Sequence, residues 1–218
     1  MGFFSNSDLK VDCQSLPAYL YNLKIVLPPG ESILADADSL LYMDEGVDVT
    51  DVSDPTQDLL LTKFTNNKSS KATIIFSPPH IGRIEEIPLS IYDGKIICRQ
   101  EAFLCALKAV SIAVNHSCSV AENWPDQAGI IMLDIQSQDT VYLRASGMNH
   151  RFQLSINEQV RVDATRLVAF ASTVACEFGV AEGVKSNLWN GERLLLATLR
   201  GPGQVWMLSD PFLRKTKV

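Results

Sequence analysis

Sliding the chain along itself by 127 positions lays Leu27 on Leu154, Glu31 on Glu158, Asp36 on Asp163, Ala37 on Ala164 and Leu40 on Leu167. Conservative matches fill the gaps, among them Lys24 with Arg151 and Ile33 with Val160. A shift of 64 pairs Gly30 with Gly94, Ile33 with Ile97 and Leu40 with Leu104, and 63 more carries Leu104 to Leu167. Strand-turn-strand sequences resemble one another by composition alone, but offsets held across three segments favour three copies of one unit. The copies span about residues 21–84, 85–148 and 149–209, some 63 residues each, followed by a tail at 210–218. A unit of that size cannot bury both faces alone and must pack against its neighbours, so the pattern predicts one domain with pseudo-threefold packing.

The unit itself reads as β-structure. Apolar residues alternate or run in bursts of four to eight, and the bursts are cut by PPG, DG, NG and GPG. In YNLKIVLPPGESILADADSLLYM one strand ends at Pro28-Pro29-Gly30, a second runs through Ile33 and Ala35, and a third begins near Leu40. The stretch EAFLCALKAVSIAV, Glu101 to Val114, has a helix-like length and alanine content. The offsets set it opposite Leu40 to Val49 and Leu167 to Cys176, so it is expected to be strand as well. The fold expected is all-β, with internally duplicated units of the β-sandwich or double-stranded β-helix kind.

Charge and cysteine usage narrow the setting. Acidic residues outnumber basic ones 25 to 19, a surface that repels phosphate backbones. Lys68, Lys71, Arg144, Arg151, Arg161, Arg166 and Arg193 are scattered among acids, and Arg214, Lys215 and Lys217 form the one basic cluster. No nucleic-acid partner is expected. The five cysteines are odd in number and never form CxxC, which argues against a disulfide framework and a zinc site. Residues 1–10 lack a signal-peptide pattern, and the longest apolar stretch, Ala102 to Val114, is interrupted by Lys108 and too short for a membrane span. The expected location is cytoplasmic.

The segments LPPGESILADADSLLYM (Leu27 to Met43), GKIICRQEAFLCA (Gly94 to Ala106) and NGERLLLATLRGPGQVWMLS (Asn190 to Ser209) together resemble a widespread family of unknown function. That family includes the mitochondrial-biogenesis proteins first named for altered inheritance of mitochondria. The resemblance covers Tyr21 to Ser209 and implies an all-β fold related to the tryptophan RNA-binding attenuation protein, built by duplication. It carries no catalytic residue with it. Its motif positions here are Gly30, Glu31, Gly94, Gly191, Glu192, Gly201 and Gly203, read as structural. The chain departs from the family pattern between Thr50 and Phe76, where the glycine-rich segment and second G-E pair usual in the family are missing, and TNNKSSK, Thr65 to Lys71, reads as a loop between two apolar strands.

No catalytic constellation emerges. Apolar alternation rather than a helix follows each motif glycine, so tight turns explain them better than phosphate binding. Glu31 and Glu192 form a carboxylate pair only if the fold unites them. The three histidines, His80, His116 and His150, stand apart, unlike the clustered ligands of a metal site. His116 beside Cys118 lacks a supporting nucleophile motif, and GxSxG is absent. Trp124, Trp189 and Trp206 read as core or interface anchors. Neither a cofactor nor a metal is expected. The function expected is a non-enzymatic oligomeric scaffold or interaction module, with a homo-oligomer or a protein as partner. The alternative is a small-ligand- or metal-binding barrel-like protein or enzyme with a pocket near the pseudo-symmetry axis.

Overall fold

The computed structural model describes the chain outside residues 1–8, 17–19, 58, 78–81, 108–109, 121–129, 147–148, 186–192 and 210–218. Among the described residues, twenty strands and five short 3-10 turns make up the secondary structure, and no α-helix occurs. The strands form four sheets. The first has the order β1 (Lys10–Leu16), β2 (Leu20–Leu27), β7 (Ala72–Phe76), β4 (Leu40–Met43). The second runs β5 (Val47–Asp51), β6 (Thr62–Asn66), β3 (Ser32–Ala35), β10 (Phe103–Leu107), β14 (Thr140–Ser146), β8 (Gly82–Pro88).

The third sheet runs β11 (Ser111–Val114), β13 (Met132–Gln136), β9 (Lys95–Arg99), β17 (Leu167–Ala171), β20 (Gly203–Leu208), β15 (Asn149–Leu154). The fourth is β12 (Ser119–Val120), β18 (Ala175–Lys185), β19 (Arg193–Arg200), β16 (Gln159–Asp163). Of the stretch Glu101 to Val114, expected to be strand throughout, Phe103–Leu107 and Ser111–Val114 are strands β10 and β11, while Glu101 and Ala102 complete a 3-10 turn at Gln100–Ala102 and Val110 lies between the strands. In β10, Cys105 and Ala106 are buried among apolar neighbours, so packing overrides any mild helix preference.

Three corners recur in which a strand meets a 3-10 turn of three residues and leaves it as another strand. They are β3 through Ala37–Ser39 to β4, β9 through Gln100–Ala102 to β10, and β16 through Ala164–Arg166 to β17. Each corner carries the chain into the neighbouring, lower-numbered sheet. Each outgoing strand has a bulge four residues after the turn begins, at Leu41, Leu104 and Val168. The first and third turns are capped alike: Asp36 accepts from the Asp38 amide, and Asp163 from the Thr165 amide and hydroxyl. Ahead of the corners, Gly30, Gly94 and Asn157 all adopt positive φ, at 74°, 75° and 62°. Glycine takes that conformation without strain, and asparagine is among the few other residues that tolerate it.

Three buried clusters alternate with the four sheets. Leu23, Ile25, Ile74 and Phe76 of the first sheet meet Ile33, Phe64, Leu104 and Cys105 of the second. Phe103, Val141 and Leu143 of the second meet Ile96, Cys98, Val168 and Trp206 of the third. Ile97, Phe170 and Val205 of the third meet Phe178, Leu195 and Leu199 of the fourth. Strand alternation explains the layering, since Ile97 turns to one cluster while Ile96 and Cys98 turn to the other. The two inner sheets are therefore apolar on both faces.

Candidate functional site

The strongest polar construction lies at the corners. Arg99, 2% exposed, ends β9; its Nε donates to Glu101 Oε2 at 2.9 Å and its Nη1 to the Ala164 carbonyl at 3.1 Å. One guanidinium thus joins the second corner to the third. Arg144, on β14, does the same for the first and second. Its Nη1 sits 2.7 Å from Asp36 Oδ2 and donates to Ser39 Oγ, while Nη2 donates to the Phe103 carbonyl at 3.1 Å. The rigid fork of donors on arginine suits such bridging. These arginines hold the layers in register and face no cleft.

A cysteine pair sits at the margin of the fourth sheet. The two-stranded register sets Ser119 beside Glu177 in parallel, placing Cys118 next to Cys176. The Cys176 thiol donates to Cys118, which holds the Cys118 thiol below the ordinary range and pushes Cys176 above it. Asn115 fixes the approach: its side-chain oxygen accepts from the Ser117 and Cys118 amides at 3.1 Å, and its nitrogen donates to Asp134 at 2.8 Å. Burial drives the thiols of Cys98 and Cys105 far above the usual range. All four cysteines are free.

Two of the surface clefts are lined in part by β15. One, of about 230 Å³, lies between Tyr92, Gln153, Thr173 and Gln204. The other, of about 500 Å³, is lined by His150 and Phe152 of β15, Val162 and Asp163 of β16, Arg166, and Met207 to Ser209. It runs along the edge of β16, which among the described residues pairs with β19 and no other strand. At the opposite end of the molecule β4 is likewise an edge, paired among the described residues with β7 alone.

Of the described motif residues, Gly30, Gly94 and Gly201 sit in turns or bends, and Gly203 begins β20. The Gly30 amide donates to the Asn66 carbonyl at 2.8 Å, and the Glu31 carbonyl accepts from the Asn66 amide at 3.0 Å. Gly94 lies against Ser137, whose amide donates to its carbonyl at 3.0 Å. Gly201 precedes a cis proline, and a Cβ there would collide with the Ser155 carbonyl. Gly203 is buried against Thr173 and Val174. Gly191, Glu192, His80, Trp124 and Trp189 lie outside the described residues, so the Glu31–Glu192 pairing does too. His116 and His150 are exposed, and no cluster of metal-ligating side chains occurs among the described residues.

Trp206 is a core anchor, stacked edge-on against Tyr92 with ring centres 5.2 Å apart. Sequence reasoning missed Arg99, Arg144 and the Cys118–Cys176 pair. Arg99 had a signal, a charge directly after the apolar run IIC with Glu101 two residues on; the other two depend on contacts between distant segments.

Layered sheets joined by arginine-tied corners define an all-β protein. The chain belongs to the family described as Mitochondrial biogenesis AIM24, whose model matches residues 20–210. No curated protein matches it. Among solved structures it is similar to protein SPYM3_0169 from Streptococcus pyogenes, with 15% identity over 93% of this chain and 94% of that one and a TM-score of 0.75. That likeness concerns the fold. No helix among the described residues is long and apolar enough to cross a membrane.

Proposed function

We propose that the protein is a non-enzymatic β scaffold, a row of three copies of one unit that works by presenting strand edges to a protein partner. The observation that carries this reading is the contrast between β4 and β16, which among the described residues are paired on one side only, and β3, β9, β10 and β17, which are paired on both sides. Unpaired edges offer a line of backbone donors and acceptors to another chain. The three matching corners, bulges and positive-φ turns support the repeat. Motif positions Gly30, Gly94, Gly201 and Gly203 then serve turns and close approaches, and Glu31 serves a turn backbone. The free thiols support a reducing compartment, read as cytoplasmic.

Light scattering after size exclusion tests the scaffold: association that grows across the micromolar range supports it, and a strict monomer that captures no protein partner refutes it. A second reading, a small-ligand site, draws on the cleft beside His150 and Phe152, whose volume of about 500 Å³ falls in the range of ligand pockets. Thermal-shift screening separates the two, because a ligand at a hundred times its dissociation constant stabilises by roughly 2.7 kcal/mol.

A further inference from the structure

Each outer sheet contains one three-stranded half of an inner one. The second sheet divides into β5-β6-β3 and β10-β14-β8, and the third into β11-β13-β9 and β17-β20-β15. In both, the strand entering one corner pairs antiparallel with the strand leaving the next. The fourth sheet contains the first kind of half, β18-β19-β16, and stops at β16; the first sheet contains the second kind, β4-β7-β2, and starts at β4. Each end lacks what the other end carries. Sheets one and four share no buried cluster among the described residues, so the chain does not close on itself.

Resting on the scaffold reading above, we infer that the partner is a second copy of this chain, joined head to tail by pairing β16 of one molecule with β4 of the next. The internal junctions specify the register. Ala35, two residues before the first 3-10 turn, faces Cys105, five residues after the second turn begins. Cys98, two before the second, faces Ala169, five after the third begins. The same spacing sets Val162 against Tyr42 of the next molecule, and Arg161 against Met43.

Exposure agrees with that placement. Leu104 and Cys105 are 0% exposed, and Val168 and Ala169 are 1% and 0% exposed. Leu41 and Tyr42, at the same two corner positions, are 55% and 51% exposed. The outgoing strand at each internal junction covers the preceding layer: Leu104 and Cys105 pack with residues of β2 and β7, and Val168 and Ala169 with residues of β8 and β14. By the same geometry Leu41 and Tyr42 would pack on β15 and β20, where Phe152, Met207 and Val162 line the larger cleft. The cleft is the seat of the incoming strand. Because the contact is heterologous, it propagates into a ring or a filament according to the rotation per step.

Mixing two singly substituted full-length proteins, Tyr42→Cys and Val162→Cys, each also carrying Cys118→Ser, tests the register under mild oxidation. A disulfide between the two chains is expected, and a mixture of Tyr42→Cys with Gln159→Cys is expected to form at least tenfold less. Equal cross-linking in both mixtures, or none in either, overturns the register. Light scattering on the unsubstituted protein distinguishes the failures, since association without the cross-link rejects this junction and leaves the scaffold standing. Tyr42→Lys, a change on an exposed side chain, should weaken association at least tenfold with an unchanged melting temperature, whereas Ile156→Lys should leave it unaltered. Undiminished association of Tyr42→Lys overturns the inference.

Discussion

Arg144 on β14 and Asp36, at the entrance to the first corner, lie 2.7 Å apart although 108 positions separate them in the chain. The contact is largely shielded from water, with side chains 15% and 21% exposed. The same guanidinium also supplies Ser39 and the Phe103 carbonyl, so one side chain holds two corners together. Arg144→Ala is expected to cost about 2 kcal/mol, because three acceptors lose a charged donor in a poorly hydrated place. Guanidinium unfolding measures it, and a double-mutant cycle with Asp36→Ala should return a favourable coupling. A change below a few tenths of a kcal/mol would show the fork to be incidental.

Arg99 is more deeply buried and ties the second corner to the third. Arg99→Ala should be costlier than Arg144→Ala, about 3–4 kcal/mol, since it strands the Ala164 carbonyl and leaves a gap beneath it. Arg99→Lys should recover less than half of the loss, because a single ammonium cannot reproduce both directions of the guanidinium. The same unfolding measurement ranks the three proteins.

Cysteine ionisation predicts a pH dependence of stability. An unfolded thiol ionises near pH 8.5, while burial keeps Cys98 and Cys105 protonated far above that. Above that pH the folded chain therefore holds more protons than the unfolded one, so stability falls as pH rises. The slope should be roughly 1.4 kcal/mol per pH unit for each thiol. Thermal melts from pH 8 to 10.5 on the native protein and on the Cys98→Ala, Cys105→Ala double variant check this; matching slopes would reject it.

Thiol labelling separates the cysteines by environment. Cys118 is half-buried with its ionisation favoured by Cys176, whereas Cys98 and Cys105 are sealed between sheets. Iodoacetamide at neutral pH should modify Cys118 in the folded protein at least tenfold faster than Cys98 or Cys105. Peptide mass spectrometry reads the result, and Cys176→Ala should slow the labelling of Cys118.

The turns allow a graded test. Nothing crowds the position a Cβ would take at Gly30, so Gly30→Ala should cost only the positive-φ penalty, about 1 kcal/mol. Gly201→Ala must displace the backbone at Leu154 and Ser155 and should cost well over twice that. Asn157→Gly should be neutral or slightly stabilising, because asparagine already tolerates this turn. Melting temperatures of the three variants establish the order.

The local features were legible because they depend on neighbouring residues. Pro28-Pro29-Gly30 ends a strand, Gly94 opens a turn, and the offset that pairs Asp36 with Asp163 marks two 3-10 turns capped in the same way. The strand character of Phe103 to Leu107 followed from alignment with its counterparts, where periodicity alone was ambiguous. The rest depends on which sheet each strand joins. Ile96 and Ile97 read alike along the chain yet enter different clusters, and Leu40 and Leu41 read alike yet Leu41 faces outward. Arg144 meets Asp36, and Cys118 meets Cys176, across separations to which no local pattern refers.

All three corners pass the chain between sheets in the same sense, which gives the molecule a direction. Its termini in the stack are unlike, so a chain with one of them blocked, such as a Val162→Lys protein with β4 intact, would add to an assembly and admit no successor. Mixed in at a small fraction, such a terminator would shorten every assembly it joined, and stoichiometry rather than affinity would set the final size.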